Sequence, residues 1–349
     1  MSNTTTPSKM MPYVRLGKSG LKVSRVILGT MQYGHKGWAE WNIDDEEEVT
    51  RHVKFAYDHG INTFDTANTY SNGLSEILLG KAIKKLALPR DEVVILTKVY
   101  FPCAKDHSVH LKHLDKPDQQ GLLNQYGLSR KHIFDSVKHS LERLQLDYID
   151  VLQCNSTGHR FDYNTPIEET MQALHDVVQA GYVRYIGMSS CYAYQYYAIQ
   201  HKLTPFISMQ NHYNLLYREE EREMFPALKM YGVGSIPWSP IARGLLTRPL
   251  DKKTTRGSTD WYIERYLEGP GTPDVIKCVE EVAKKKNVSM AQVSIAWLLS
   301  KEGVTAPIVG TTNLANMEDI INAVHLKLTP EEIEMLEKAY RNRSVSGHN

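Results

Sequence analysis

Short β-branched runs recur eight times along this chain, and longer stretches of helical period separate them. They are Val26–Thr30, Thr63–Ala67, Val93–Val99, Tyr148–Cys154, Val183–Ser190, Phe206–Gln210, Gly234–Ser239 and Ala306–Gly310, with a hairpin predicted ahead of them around Gly17 to Gly20. Strands joined through helices pair in parallel, because such a crossover brings the chain back in the same direction. Eight of these units predict an α/β fold, a (β/α)8 TIM barrel with an N-terminal hairpin. A barrel of about 250 residues plus insertions accounts for the 349 residues as one domain over 13–340, with a polar tail at 1–12 and a short tail at 341–349.

The intervening segments each present one apolar face. Ile133, Val137, Leu141 and Leu144 step by helical intervals, as do Ile167, Met171, Leu174 and Val178. Ser129, Thr165-Pro166 and Thr329-Pro330-Glu331-Glu332 mark helix starts.

Composition narrows the function classes. Forty-one Lys plus Arg against 40 Asp plus Glu leave a net charge of +1, which offers no field to gather nucleic acid or an anionic membrane. No stretch approaches the roughly 18 apolar residues of a membrane span. Cys103, Cys154, Cys191 and Cys278 are too scattered for a disulfide scaffold or a zinc site, so they read as reduced thiols of a cytoplasmic protein with no metal.

Two segments interrupt the alternation, Pro102 to Leu128 after the third strand and Arg248 to Pro273 after the seventh. Both follow strand ends, the face where such barrels keep their active sites, and both are expected to wall a pocket. Polar residues gather at the same ends: Asp65, Tyr70 just beyond it, Lys98, and His159 beyond YIDVLQC. Singly, each has a plain structural role open to it, as a cap, a loop aromatic, a snorkelling lysine or a loop imidazole. A lysine and an aspartate ending adjacent apolar strands are harder to explain that way, because either charge buried alone is costly.

The motifs FDTANTYSNGLSEILLGKAI, ILTKV, VRYIGMSS, IPWSPIARGLL and APIVGTT follow in this order, and the chain from about Arg15 to Leu336 resembles the aldo-keto reductase family. Within that family it is most similar to the fungal aryl-alcohol dehydrogenase and versiconal hemiacetal acetate reductase branch. The resemblance implies a (β/α)8 barrel that binds NADPH, with NADH the lesser alternative, and reduces a small-molecule carbonyl. It makes Tyr70 the general acid, Lys98 and Asp65 its tuning pair, and a histidine after the fourth strand the group that orients the carbonyl. A phenol near pKa 10 needs help to release its proton; a cation about 4 Å away contributes roughly 4 kcal/mol at an effective dielectric of about 20. Lys98 is therefore expected to lower the Tyr70 pKa.

The histidine departs from the pattern. Asn155-Ser156-Thr157-Gly158 stand between Cys154 and His159, where the family has no insertion. Either the loop folds back and returns His159 to the site, or Asn155 takes its place as a donor.

The resemblance maps the nicotinamide carboxamide contacts to Ser189, Ser190 and Gln210, and the stacking aromatic to Trp238. Ser239, Pro240, Ile241, Arg243 and Gly244 would wrap the pyrophosphate, and Gly310, Thr312, Asn316 and Asp319 the adenosine. No Lys or Arg lies between Gly310 and Asp319 to meet a 2′-phosphate. Met31, Tyr33, Trp38 and Trp41 follow the first strand and are expected to form an aromatic wall suited to a flat, bulky carbonyl. A competing reading is an NADPH-binding regulatory subunit similar to potassium-channel beta subunits. The oligomeric state is not legible here.

Overall fold

The computed structural model describes residues 10–110, 117–154, 161–189, 193–252 and 254–345. It opens with an antiparallel hairpin, β1 (Tyr13–Arg15) and β2 (Lys22–Ser24). The barrel strands follow as β3 (Ile27–Gly29), β4 (Thr63–Asp65), β5 (Val94–Val99), β6 (Ile149–Cys154), β7 (Val183–Met188), β8 (Phe206–Met209), β9 (Gly234–Ser235) and β10 (Ile308–Val309). Neighbours in this series pair in parallel, and β10 pairs with β3. The remaining gap is closed by a parallel bridge of Ser235 with Val304 and by the Ile308 N–H donating to the Pro237 carbonyl (2.8 Å). All eight expected strands are present, each shorter at one end or both.

Helices α1 (Glu46–Asp58), α2 (Leu74–Lys85), α3 (Arg130–Leu144), α4 (Ile167–Gln179), α5 (Ala193–Gln200) and α6 (Met224–Tyr231) connect successive strands. Beyond β9 come two short helices, α7 (Thr255–Thr259) and α8 (Tyr262–Leu267), then α9 (Thr272–Lys286) and α10 (Met290–Ser300); α11 (Leu314–Asn322) and α12 (Pro330–Lys338) follow β10. Ser129 caps α3, and Thr329 with Glu332 forms a full capping box on α12. Thr165 does not cap α4: Pro166 holds that position, and the Thr165 hydroxyl donates instead to Asp162 (2.7 Å).

The alternation of side chains along the strands sorts the barrel interior into levels. Val94 and Leu96 on β5, Val151 on β6, Ile27, Ile236 and Ile308 share one apolar cluster low in the barrel. Leu16 and Val23 of the hairpin join that cluster and cover the lower end. Gly17 makes this cover fit, since it has φ +59° and any Cβ there would lie 2.5 Å from the Gly232 carbonyl oxygen. Two residues above Leu96 stands Lys98, and two above Val151 stands Gln153, so the inward rows turn polar as they reach the C-terminal ends. The outward rows, such as Leu28, Phe64, Ile95, Leu152 and Ile186, pack against the helices in the main core.

Candidate active site

The floor of the upper end is an ion pair taken almost wholly out of water. Lys98 is 1% exposed and Asp65 2%. The ammonium donates to Asp65 Oδ2 (2.6 Å), to the Thr66 carbonyl (2.7 Å) and to the Tyr70 hydroxyl (3.2 Å), so all three of its protons have acceptors. Asp65 Oδ1 accepts from the side-chain amides of Gln153 (2.8 Å) and Gln210 (2.9 Å). Burial works against the ammonium, but Asp65 and Tyr70 outweigh it, and Lys98 stays above the usual lysine value. Burial also raises the Tyr70 phenol; Lys98 pulls it down without overcoming that effect. The expected pull of Lys98 is present, but burial outweighs it: at neutral pH Tyr70 is a neutral phenol, holding the proton an acid must give.

A strained turn presents Tyr70. Ser71 (φ 44°), Asn72 (φ 50°) and Gly73 (φ 89°) are successive left-handed residues, a conformation costing on the order of 1 kcal/mol for each non-glycine residue. Hydrogen bonds shielded in part or wholly from solvent hold it. Ser71 Oγ accepts from the His35 N–H (3.0 Å) and Asn42 Nδ2 (3.2 Å), while Asn72 Nδ2 donates to the Asp106 (2.8 Å) and Val109 (2.7 Å) carbonyls.

Above the floor runs a cleft of about 650 Å³ lined by Asp65 and Tyr70 at one part and by Gly310, Thr312, Asn316 and Asp319 at another. Ser189, Gln210, Trp238, Ser239, Pro240, Ile241, Arg243 and Gly244 line it between them. Ser239, Ala242, Arg243 and Gly244 all have positive φ, which curls this segment into a concave backbone of the kind that cradles anions. Trp238 is held flat by His212, which stacks on it at 4.1 Å and 13° and on Tyr217 at 4.1 Å and 12°. Asp319 already accepts from Ser289 Oγ (2.5 Å) and Gln292 Nε2 (2.7 Å).

The same wall carries an excess of guanidinium. Arg243 Nη1 meets both oxygens of Asp260 (2.8 and 2.7 Å), and Arg256 Nε reaches the same carboxylate at 3.1 Å. Arg248 also lines the cleft, beside Thr247. Burial of Asp260 would raise its pKa, but the two guanidiniums prevail and hold it below the usual carboxylate value. Burial lowers Arg248 and Arg256. The buried Arg243 Nε has no acceptor among the described residues. A concave backbone with unbalanced positive charge fits the phosphates of a dinucleotide, so the residues present suit an NAD(P)H-type cofactor.

The aromatic wall is smaller than expected. Met31 and Trp41 line the cleft, with Arg256 over the Trp41 ring at 4.3 Å. Tyr33 does not: it is 0% exposed, packed in the main core edge-on to His52. Trp38 is half-buried and stacked on His110 at 4.7 Å, and is not among the residues that line the cleft. Among the described residues, Pro102–Leu128 supplies none of the cleft lining, whereas Arg248–Pro273 supplies Arg248, Thr254 and Arg256. His159 and Ser190 lie outside the described residues, as does the Asn155–Gly158 insertion. Sequence reasoning missed Gln153, Arg248 and Arg256. A glutamine inside an apolar strand was a usable signal for the first; the arginines are far in sequence from the segment in which a cation was sought.

Among the described residues no group of three or more His, Cys, Asp or Glu side chains could hold a metal ion, and no helix is long and apolar enough to cross a membrane. The sequence profile of the Aldo/keto reductase family matches residues 25–341. A protein of Schizosaccharomyces pombe provisionally named an aryl-alcohol dehydrogenase is 51% identical over 96% of this chain and 97% of its own. The versiconal hemiacetal acetate reductase of Aspergillus parasiticus is 47% identical over 96% and 98%, and the aldo-keto reductase dtxS3 of Metarhizium robertsii 43% over 96% and 93%. The resemblance to this fungal branch holds, and nothing here favours a channel-associated regulatory role. With a matching profile and near full-length relatives, the chain belongs to the aldo/keto reductase family and is an oxidoreductase that interconverts carbonyl and alcohol groups.

Proposed function

We propose that the enzyme uses NADPH to reduce an aldehyde or ketone on an aromatic or bulky molecule, reversibly, in the cytoplasm. Enzymes of this family generally use NAD(P)H. The reading rests above all on Lys98, whose buried ammonium bonds to both the Asp65 carboxylate and the Tyr70 hydroxyl at the floor of the cleft. The bound cofactor supplies the hydride. Tyr70 gives its phenolic proton to the carbonyl oxygen, and Lys98 at 3.2 Å compensates the phenolate that remains. Asp65 holds the ammonium in place and protonated. His159 is assigned the orienting of the carbonyl. Ser189, Ser190, Gln210 and Trp238 serve the nicotinamide end, Ser239–Gly244 the pyrophosphate, and Gly310, Thr312, Asn316 and Asp319 the adenosine.

Two supports favour the finer points. Three guanidiniums on one wall, with Asp260 paired to two of them, leave room for the additional phosphate of NADPH. Trp41 and Met31 offer apolar surface for an aromatic carbonyl, in keeping with the relatives whose names speak of aryl alcohols.

Tyr70→Phe is expected to lower kcat for aromatic aldehydes by about a hundredfold or more while NADPH affinity stays within about twofold. Retention of more than about a tenth of wild-type kcat removes Tyr70 as the acid. His159→Ala is expected to cost about tenfold in kcat/KM, the scale of one orienting hydrogen bond; a null effect beside a costly Asn155→Ala would transfer the role to Asn155.

A further inference from the structure

Gln153 has no task in the mechanism above, yet it sits between two groups that do. It stands on the inward row of β6 and is 1% exposed. Its Nε2 donates to Asp65 Oδ1 (2.8 Å), and its Oε1 accepts from Gln210 Nε2 (2.9 Å). Gln210 Nε2 donates to the same Asp65 oxygen (2.9 Å).

Chemistry fixes which amide atom is which. Asp65, paired through its other oxygen with the Lys98 ammonium, can only accept, so each glutamine must turn its NH2 group toward it. Both protons of the Gln210 amide are then taken inside the barrel. Gln210 lines the cleft, and the atom left to face it is Oε1.

We propose that Gln153 is a positioning residue that, together with Asp65, pins the Gln210 amide so that its oxygen faces the cleft as a fixed acceptor for a primary amide on the bound ligand. The proposal rests on the cofactor reading above, in which that amide is the nicotinamide carboxamide. Asp65 then serves two tasks at once, one oxygen for proton transfer and the other for cofactor orientation. Without Gln153, the Gln210 NH2 keeps one acceptor and strands its second proton. An amide so placed turns that proton toward the cleft, where it competes with the ligand's own N–H groups.

The test compares equilibrium binding of NADPH with that of its 3-acetylpyridine analogue, whose acetyl group keeps a carbonyl but has no N–H. Wild type is expected to bind NADPH about fivefold more tightly than the analogue, the scale of one hydrogen bond. Gln153→Met, of similar length but unable to pin the amide, should abolish most of that preference by weakening NADPH, with the analogue's Kd within about twofold of wild type. Gln153→Leu removes the same acceptor, and the same selective loss is expected; it supplies the readout if the Met variant does not fold. Equal weakening of both ligands, or an unchanged preference, overturns the proposal. Absence of any preference in wild type does so without a variant. Gln210→Leu keeps the two readings apart. If it abolishes the preference while Gln153→Met leaves it intact, only the role of Gln153 falls; if the preference survives in Gln210→Leu, the cofactor assignment of Gln210 fails as well.

Discussion

Two buried ionic groups face the same cleft and are built in opposite ways. Asp65 and Lys98 come from adjacent strands, and each finds nearly all its partners within the barrel. Asp260, Arg243 and Arg256 come from one long connection after β9, where positive φ angles rather than strand pairing set the direction of the chain. The first group balances one cation against one anion around a phenol. The second sets two guanidiniums on one carboxylate, with Arg248 nearby. A balanced pair locked into a sheet can steer a proton without attracting other ions. An unbalanced group on a connecting segment can receive an anion and let it go.

The largest effect that would test this contrast comes from Lys98→Met. It leaves Asp65 buried without its counter-charge, so unfolding free energy should fall by about 3–5 kcal/mol in urea titrations, and kcat by roughly 10²–10⁴-fold. It should also raise the pH at which alcohol oxidation sets in, since the phenolate loses its cation. Near-normal turnover would mean that the strand-built pair is structural. Next in size, Arg248→Ala should weaken NADPH by about tenfold and NADH by less than about twofold in fluorescence titrations, the scale of one charge-assisted hydrogen bond to phosphate. Equal losses for the two cofactors would move Arg248 from the additional phosphate to the shared pyrophosphate.

The smallest effect concerns a third buried acid, which sharpens the contrast from outside both groups. Glu220 accepts from Asn211 Nδ2 (2.5 Å), and burial pushes its carboxyl up to about 7. Because its folded pKa lies above the unfolded one, its contribution to stability is present at low pH and is lost as pH rises through about 7. The Tm should therefore drop between pH 6 and pH 8 by roughly 2–4 °C for each kcal/mol lost, and Glu220→Gln should flatten that drop. An unchanged slope would assign the pH response to other groups.

The eight strands were legible because parallel strands buried on both sides leave apolar runs that no surface segment imitates. Their ends were overestimated most at β9 and β10, where the runs Gly234–Ser239 and Ala306–Gly310 form ladders of only two residues each. Asp65 and Lys98 stood out because charge at the end of an apolar strand demands an explanation, whereas Tyr70, beyond its strand, was singled out by the family motif. The aromatic wall was not legible, because residue type does not tell which way a loop side chain turns: Tyr33 turned inward while Trp41 reached the cleft. The pull of Lys98 on Tyr70 was legible, and its net outcome was not, for a related reason. Charge proximity can be read from a motif, whereas the depth of burial that outweighed it belongs to the whole barrel.

Arg25 carries a consequence for how the molecule is made. Its guanidinium bonds to the carbonyls of Leu299 (2.9 Å) and Val304 (2.9 Å), and to that of Thr305, some 280 residues further along. Strand β3 just after it pairs on one side with β10. On a ribosome the first barrel strand must therefore wait, one edge unpaired, until the last has emerged. The closed barrel is thus a late product of synthesis, reached only when nearly the whole chain has been made.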